Sequence, residues 1–322
     1  MNNQKTSSYT AASTFPAKLL RYKEECFIDD KIIPYHLQLC PTNTCNLNCS
    51  FCSCSKREKN QELDISTLKS LLLEFKYLGS KAVTITGGGE PCCYKDLPEL
   101  LNFLDYQGFE TGLVSNGILL NKIEELLFTL MWCRISVSDD RDIDQLLSIL
   151  KPIVENVKID WSFSYVVTSV FDLIKCSKVI QFANEHKFTH VRLVSDLMDL
   201  ENVPSVASIK YAFYRGGVND SLVIYQDRQD FTKGNKKCSI SLLKPVIAPD
   251  GFVYPCCGVQ YAIPQSEGVF PEQMRMCSFD KITSYFTEQK LFDGSVCSKC
   301  YYENYNDVLN TFKTEYNHRR FI

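Results

Sequence analysis

The chain has 322 residues, enough for one large or two ordinary domains with a sizeable core. Hydrophobic residues make up 45% and charged residues 23%, the balance of a globular protein, and a net charge of -3 provides no basic field for a phosphate backbone. Nucleic acid is therefore not an expected partner. Sixteen cysteines are the unusual feature. With no secretory h-region and no apolar stretch of membrane-spanning length, they are expected in a reducing cytoplasm, where short cysteine spacings point to metal rather than to disulfides.

In chain order, Met1 to Pro16 reads as a flexible polar tail, followed by a lead-in helix within Lys18 to Asp30. From Tyr35 strand-like and helix-like segments alternate, which argues for a parallel sheet covered by helices. A first strand, Tyr35 to Leu39, runs into a cysteine loop. Asp64 is expected to cap a helix whose apolar face is Ile65, Leu68, Leu71, Leu72, Phe75 and Leu78, with Gly79 ending it. Strand Ala82 to Thr86 follows, then a helix opened by an Asp96/Glu99 capping box and running to Gly108. The remaining expectations are strand Thr111 to Ser115, helix Lys122 to Leu130, strand Cys133 to Ser138, helix Ile143 to Val157, strand Lys158 to Val167, helix Phe171 to Lys187 and strand His190 to Val194. In parallel α/β sheets of this kind chemistry gathers at the C-terminal strand ends. The cysteine loop, Gly87-Gly88-Gly89-Glu90, Ser115-Asn116-Gly117 and Ser136-Val137-Ser138 all fall there.

The loop after the first strand contains Cys45, Cys49 and Cys52 in a C-x3-C-x2-C triplet, with Phe51 before the third cysteine. Three thiolates on one short loop can hold three irons of a cubane cluster and leave the fourth open to a small molecule. The alternative is a structural zinc knuckle. Further on come Cys238, a Gly251-x4-Cys256 turn, and Cys297-Ser298-Lys299-Cys300. These four thiolates suffice to close a second cubane or a zinc site, and Cys257 or Cys277 could replace one of them. Asp250-Gly251 reads as a hairpin turn that puts Cys256 on the returning strand.

The triplet, following an apolar strand and followed by Gly87-Gly88-Gly89-Glu90-Pro91, resembles the radical S-adenosylmethionine (radical SAM) superfamily. The resemblance covers Tyr35 to about Val218 as a core, and Cys238 to Cys300 resembles the twitch domain, the shortened relative of the SPASM extension. It implies an open (β/α)6 partial TIM barrel with a small C-terminal cysteine-rich domain. The division is then 1–34 tail and lead-in helix, 35–218 barrel and 219–322 auxiliary domain. It also implies a [4Fe-4S] cluster on Cys45, Cys49 and Cys52, whose free iron is chelated by S-adenosylmethionine, and an auxiliary [4Fe-4S] cluster on Cys238, Cys256, Cys297 and Cys300. By the same resemblance Gly87, Gly88, Gly89 and Glu90 receive the amino group of SAM, and the backbone of Phe51 touches adenine. Ser115, Asn116, Ser136 and Ser138 meet its ribose and carboxylate, while Arg192 on the sixth strand reads as a surface ion pair ahead of a further contact to the carboxylate.

The activity implied is reductive cleavage of SAM to a 5′-deoxyadenosyl radical that abstracts a hydrogen atom from a small molecule or short peptide, with an electron donor such as flavodoxin or ferredoxin. Two other readings stand beside it: a metal-binding or redox-sensing protein without catalysis, and a nucleotide- or RNA-modifying radical SAM enzyme. Cys54, Cys92 and Cys93 lie near the expected reaction face without a distinguishing spacing, and His36, His186, His190 and His318 read as structural.

Overall fold

The structure is a computed structural model that describes residues 17–226, 232–263 and 270–312. The expected tail lies outside them. Leu19 begins the buried core, but the lead-in helix does not continue to Asp30. Helix ends at Cys26, and a two-stranded ribbon follows, β1 (Phe27–Ile28) and β2 (Lys31–Ile32). Asp29 and Asp30 turn it with φ of 49° and 61°, the left-handed pair of a tight hairpin that aspartate tolerates at modest cost.

The strands that follow are β3 (His36–Leu39), β4 (Ala82–Ile85), β5 (Glu110–Ser115), β6 (Trp132–Ser138), β7 (Asp160–Val167), β8 (His190–Ser195), β9 (Val223–Gln226), β10 (Val246–Ile247), β11 (Phe252–Tyr254) and β12 (Cys277–Ser278). They form one open ten-stranded sheet in the order β12-β11-β10-β3-β4-β5-β6-β7-β8-β9. Strands β3 to β8 are the six parallel strands of the partial barrel. The sheet then goes further on both edges. Beyond residue 218, β9 adds to β8 in parallel, and β10 returns to the opposite edge, parallel to β3. The antiparallel turn to β11 pairs Val246 with Tyr254 across Asp250-Gly251, where Gly251 takes φ of 87°. Cys256 falls two residues past this returning strand.

Five helices cover the outer face: α1 (Ile65–Tyr77), α2 (Leu97–Tyr106), α3 (Ile143–Asn156), α4 (Leu173–Glu185) and α5 (Val206–Gly216). Asp64 caps α1 by accepting from Thr67 N at 2.9 Å, and the helix buries Leu68, Leu71, Leu72 and Phe75. The Asp96/Glu99 capping box does not form: Asp96 makes no side-chain cap, and Glu99 pairs with Lys69 on α1 at 2.5 Å. The segment expected as a helix from Lys122 is a broken 3-10 run, Leu120–Thr129, interrupted at Ile123.

Each barrel strand has two unlike faces. On β7, Trp161 and Phe163 pack outward on Phe188, the latter at 4.7 Å between ring centres, so Ser162 and Ser164 face the lumen. Register carries the same parity to Arg134, Ser136 and Ser138 on β6 and to His190 and Arg192 on β8. At the base of β5, Gly112 has no room for a side chain, because the Trp132 ring lies 2.1 Å from where a Cβ would stand. The lumen is thus polar and the helix-facing layer apolar, the reverse of a barrel filled by branched side chains. Among the described residues no helix is long and apolar enough to cross a membrane.

Candidate active site

The cysteine loop sits on the C-terminal rim, bolted to the glycine run that follows β4. Gly89 N donates to Thr42 O at 3.0 Å and Glu90 N to Thr44 O at 2.8 Å. Only glycine fits this approach. A Cβ on Gly88 would stand 1.9 Å from Asn43 Oδ1, and one on Gly89 would stand 2.0 Å from Thr44 O. Cys40, buried beneath, accepts from the backbone of Gly88, and burial pushes its thiol up to about 12.

Cys45, Cys49 and Cys52 are half-buried on one loop. Burial pushes the Cys49 thiol up to about 11, with Asp140 and the two neighbouring thiols adding to it and Arg141 opposing. Hydrogen-bond donors approach the other two sulfurs: Leu47 N lies 3.4 Å from Cys45 Sγ, and Arg57 Nη1 lies 3.5 Å from Cys52 Sγ. Arg57 is itself buried and also donates to Asn43 O at 2.7 Å. It joins the third cysteine to the stretch that carries the first. Phe51 lies half-buried between Cys49 and Cys52.

Glu90 is buried and turned towards its own chain. Its Oε1 accepts from Ser115 Oγ at 2.7 Å and Cys92 N at 3.1 Å, and its Oε2 accepts from Asn116 N at 2.7 Å. The Ser115 hydroxyl is therefore engaged in holding Glu90, while Asn116 reaches Asn46 of the cysteine loop at 2.7 Å. Arg141 donates to Asn116 O at 3.1 Å and Ser136 O at 3.3 Å. Ser138 Oγ donates to Asp140, and Asp139 beside it accepts from Asp172 N at 3.0 Å. One network thus binds the rims of β4, β5 and β6 around the cysteine loop. Arg57, Arg141, Asn43 and Asn46 escaped sequence reading, since a lone Arg or Asn on a polar loop carries no periodic or spacing signal.

The second cysteine set also converges. Cys238, Cys256, Cys297 and Cys300 line one cavity with Pro255, Tyr302 and Asn306. Burial first, and neighbouring thiols next, push Cys297 up to about 12 and Cys256 well above its usual range. Buried, mutually adjacent thiols resist ionising one by one; a bound cation supplies the missing charge balance. Donors are in place, with Gly258 N at 3.3 Å from Cys256 Sγ. Cys257 is not in the cavity lining and instead meets Tyr302 Oη at 2.9 Å, while Cys277 sits in β12 opposite Val253. Among the described residues no three His, Cys, Asp or Glu side chains close on the geometry of a single metal ion.

These features define a partial barrel with a three-cysteine loop on its C-terminal rim. Residues 39–138 match the radical SAM superfamily. A probable GTP 3',8-cyclase of Archaeoglobus fulgidus is 27% identical over 263 residues, 80% of this chain and 75% of that protein. Another, of Sulfolobus acidocaldarius, is 24% identical over 295 residues, 79% of this chain and 87% of that one. Streptococcus suis SuiB bound to its precursor peptide SuiA shares the fold, with a TM-score of 0.58 at 16% identity over 93% of this chain and 76% of that one. So does anSMEcpe with bound AdoMet and a Cp18Cys peptide, with a TM-score of 0.52 at 16% identity over 79% and 80%.

Proposed function

We propose that the protein is a radical SAM enzyme that uses S-adenosylmethionine at the Cys45, Cys49 and Cys52 loop to abstract a hydrogen atom from a small organic substrate held in the barrel lumen. The observation that carries the reading is the joining of the three-cysteine loop, the Gly87–Glu90 turn and the β5 and β6 rims by one hydrogen-bond network above a polar lumen. Cys45, Cys49 and Cys52 would hold a [4Fe-4S] cluster that, once reduced by an electron donor, would supply the one-electron chemistry that cleaves SAM to methionine and a 5′-deoxyadenosyl radical.

The chain's own residues bind and orient. Leu47 N and Arg57 direct donors at cysteine sulfurs, as thiolates on an iron cluster require. Glu90 locks the β5 rim against the loop, and the half-buried Gly87 and Gly89 offer backbone groups to the amino acid end of SAM. Cys238, Cys256, Cys297 and Cys300 would hold an auxiliary [4Fe-4S] cluster, enough thiolates to close it. A small flavodoxin or ferredoxin is the electron donor in this reading.

A nucleotide substrate is a second, finer reading, supported by curated relatives named as GTP 3',8-cyclases at 27% and 24% identity over most of this chain. The peptides bound to SuiB and anSMEcpe accompany a shared fold at 16% identity and add no support for a peptide here.

The test is anaerobic reconstitution of the wild type and a Cys45→Ala/Cys49→Ala/Cys52→Ala variant. We expect about eight irons per chain falling to about four, and 5′-deoxyadenosine from SAM and dithionite with the wild type alone. Zinc in place of iron, with no nucleoside product, would make the chain a metal-binding protein instead.

A further inference from the structure

A side-chain hydrogen bond joins the loop of Cys45, Cys49 and Cys52 to the segment that carries Cys256. Ser53, the residue after Cys52, donates from Oγ to Gln260 Oε1 at 2.9 Å, across 207 positions of the chain. The first loop is otherwise anchored at its front, where Gly89 and Glu90 hold Thr42 and Thr44, and Asn116 holds Asn46. Its back half, Leu47 to Ser55, carries Cys49 and Cys52. Apart from Ser53, the hydrogen bonds of that half among the described residues return to the loop itself. Cys52 N donates to Cys49 O at 3.2 Å, Ser55 N to Cys52 O at 3.0 Å, and Arg57 to Cys52 Sγ at 3.5 Å. Ser53 is where this half meets the rest of the protein.

Gln260 is held in turn by the second cysteine set. It is buried and ends a 3-10 turn, Cys257–Gln260, that Cys256 opens by accepting from Gly258 N at 3.3 Å. Two residues past Gln260, Ala262 O accepts from Ser298 N at 2.8 Å and Lys299 N at 3.1 Å, inside the Cys297 to Cys300 turn. Cys257 Sγ meets Tyr302 Oη at 2.9 Å, a further tie to that side. Pro255, Cys256, Gly258 and Ala262 also wall the cavity they share with Cys238, Cys297 and Cys300. Both ends of the segment are therefore clamped by the second cysteine set, and between them Gln260 holds the first loop. A cation bound by the four thiols fixes their spacing and, with it, the segment. Ser53 then gains its bond to an acceptor already in place, at a smaller cost in ordering entropy.

We propose that Ser53 and Gln260 form a latch through which metal loading of the second cysteine set orders the Cys49 and Cys52 half of the first loop and strengthens SAM binding there. Both are positioning residues, acting through Cys52 on one side and Cys256 on the other. The proposal rests on the reading of the two cysteine sites given above and adds a coupling between them. By linkage the coupling is reciprocal: SAM tightens the hold of the second site on its metal by the same factor.

The test compares the anaerobically reconstituted wild type with Ser53→Ala, Gln260→Leu and Cys297→Ser/Cys300→Ser. Iron content, the Kd for SAM and hydrogen exchange of the residue 49–55 backbone are read for each. Ser53→Ala and Gln260→Leu should keep about eight irons, bind SAM about three- to tenfold more weakly, the range for one lost hydrogen bond, and exchange faster at residues 49–55. Ser53→Thr keeps the hydroxyl and should bind SAM as the wild type does. Cys297→Ser/Cys300→Ser should hold about four irons and weaken SAM by a similar factor, yet weaken it no further in the Ser53→Ala background. If Gln260→Leu fails to fold, Ser53→Ala, on a half-buried side chain, carries the same comparison. Wild-type SAM affinity in Ser53→Ala overturns the proposal. So does an undiminished effect of emptying the second site in the Ser53→Ala background, because the coupling then runs elsewhere. Retention of about eight irons by Cys297→Ser/Cys300→Ser overturns it too, since the latch then has no second site to report. A wild type that binds no SAM, with exchange at residues 49–55 still answering to the second site and to Ser53, would strike the enzymatic reading and leave the latch.

Discussion

Gly89→Ala is the sharpest perturbation of the rim. The added methyl would stand 2.0 Å from Thr44 O and 2.5 Å from the carbonyl carbon of Asn43, both backbone atoms with no flexible end to swing aside. Ordinary contact begins at 3.4 Å, so the glycine run and the cysteine loop must separate by about 1.4 Å. That separation stretches the two hydrogen bonds between them, Gly89 N to Thr42 O and Glu90 N to Thr44 O. Each is worth about 1 kcal/mol, and forced overpacking costs about 1–3 kcal/mol. A loss of about 2 kcal/mol in SAM binding, about 30-fold in Kd, is a conservative expectation. Equilibrium SAM binding to anaerobically reconstituted protein measures it, alongside iron content and a thermal melt. Gly216→Ala is the control, since its methyl would meet only Leu173 and Val218 side chains at 3.6 and 3.7 Å. Wild-type SAM affinity in a folded Gly89→Ala variant would refute the argument that this close approach shapes the site.

Arg57→Met keeps the stem and removes the donors to Asn43 O and Cys52 Sγ, leaving a buried carbonyl short of a partner; we expect a loss of about 1–3 kcal/mol in stability and faster iron loss, read by melting and by chelator challenge. Cys256→Ser should remove about four irons from the reconstituted protein, whereas Cys257→Ser, outside the cavity lining, should remove none; equal losses would mean that the lining cysteines are not the ligand set. For His190, the folded pKa of about 3 lies below the unfolded value near 6.5, so the unfolded chain takes up the proton first. Its contribution to stability is full above pH of about 6.5 and falls by about 1.4 kcal/mol per unit below it, towards pH of about 3. His190→Gln should flatten that part of the pH-stability curve, and an unchanged slope between pH of about 6 and 4 would show that other groups set it.

Alternation of strand and helix was legible because it is a local property. Val83 and Ile85 on β4, and Leu68, Leu71 and Phe75 on α1, each carry the period of their own element. The spacing of Cys45, Cys49 and Cys52, and three consecutive glycines, are equally local, and the loop they lie on needed no tertiary information to be singled out. Boundaries and caps were less legible. Glu99 looked like half of a capping box until Lys69, 30 residues earlier, supplied a competing partner. Asp29-Asp30 turned a hairpin where helix was expected, since a left-handed pair leaves little trace in composition.

What sequence by itself determined, then, is which short stretches carry thiols and glycines, and that a parallel sheet would present them at strand ends. Only tertiary structure decided what meets across the sheet. Spacing had already grouped Cys238, Cys256, Cys297 and Cys300, but only the fold placed all four in one cavity lining and left Cys257 and Cys277 outside it. Arg134 on β6 and Arg192 on β8 share the parity of the lumen face across β7, a placement that register and not spacing in the chain decides. Glu90, read as a ligand for an ammonium, is turned by Ser115 and Asn116 into the bolt of the rim. Periodicity is set by neighbours a few residues away, whereas electrostatic and coordination partners are set by distances in space, which the chain fixes only once it has folded.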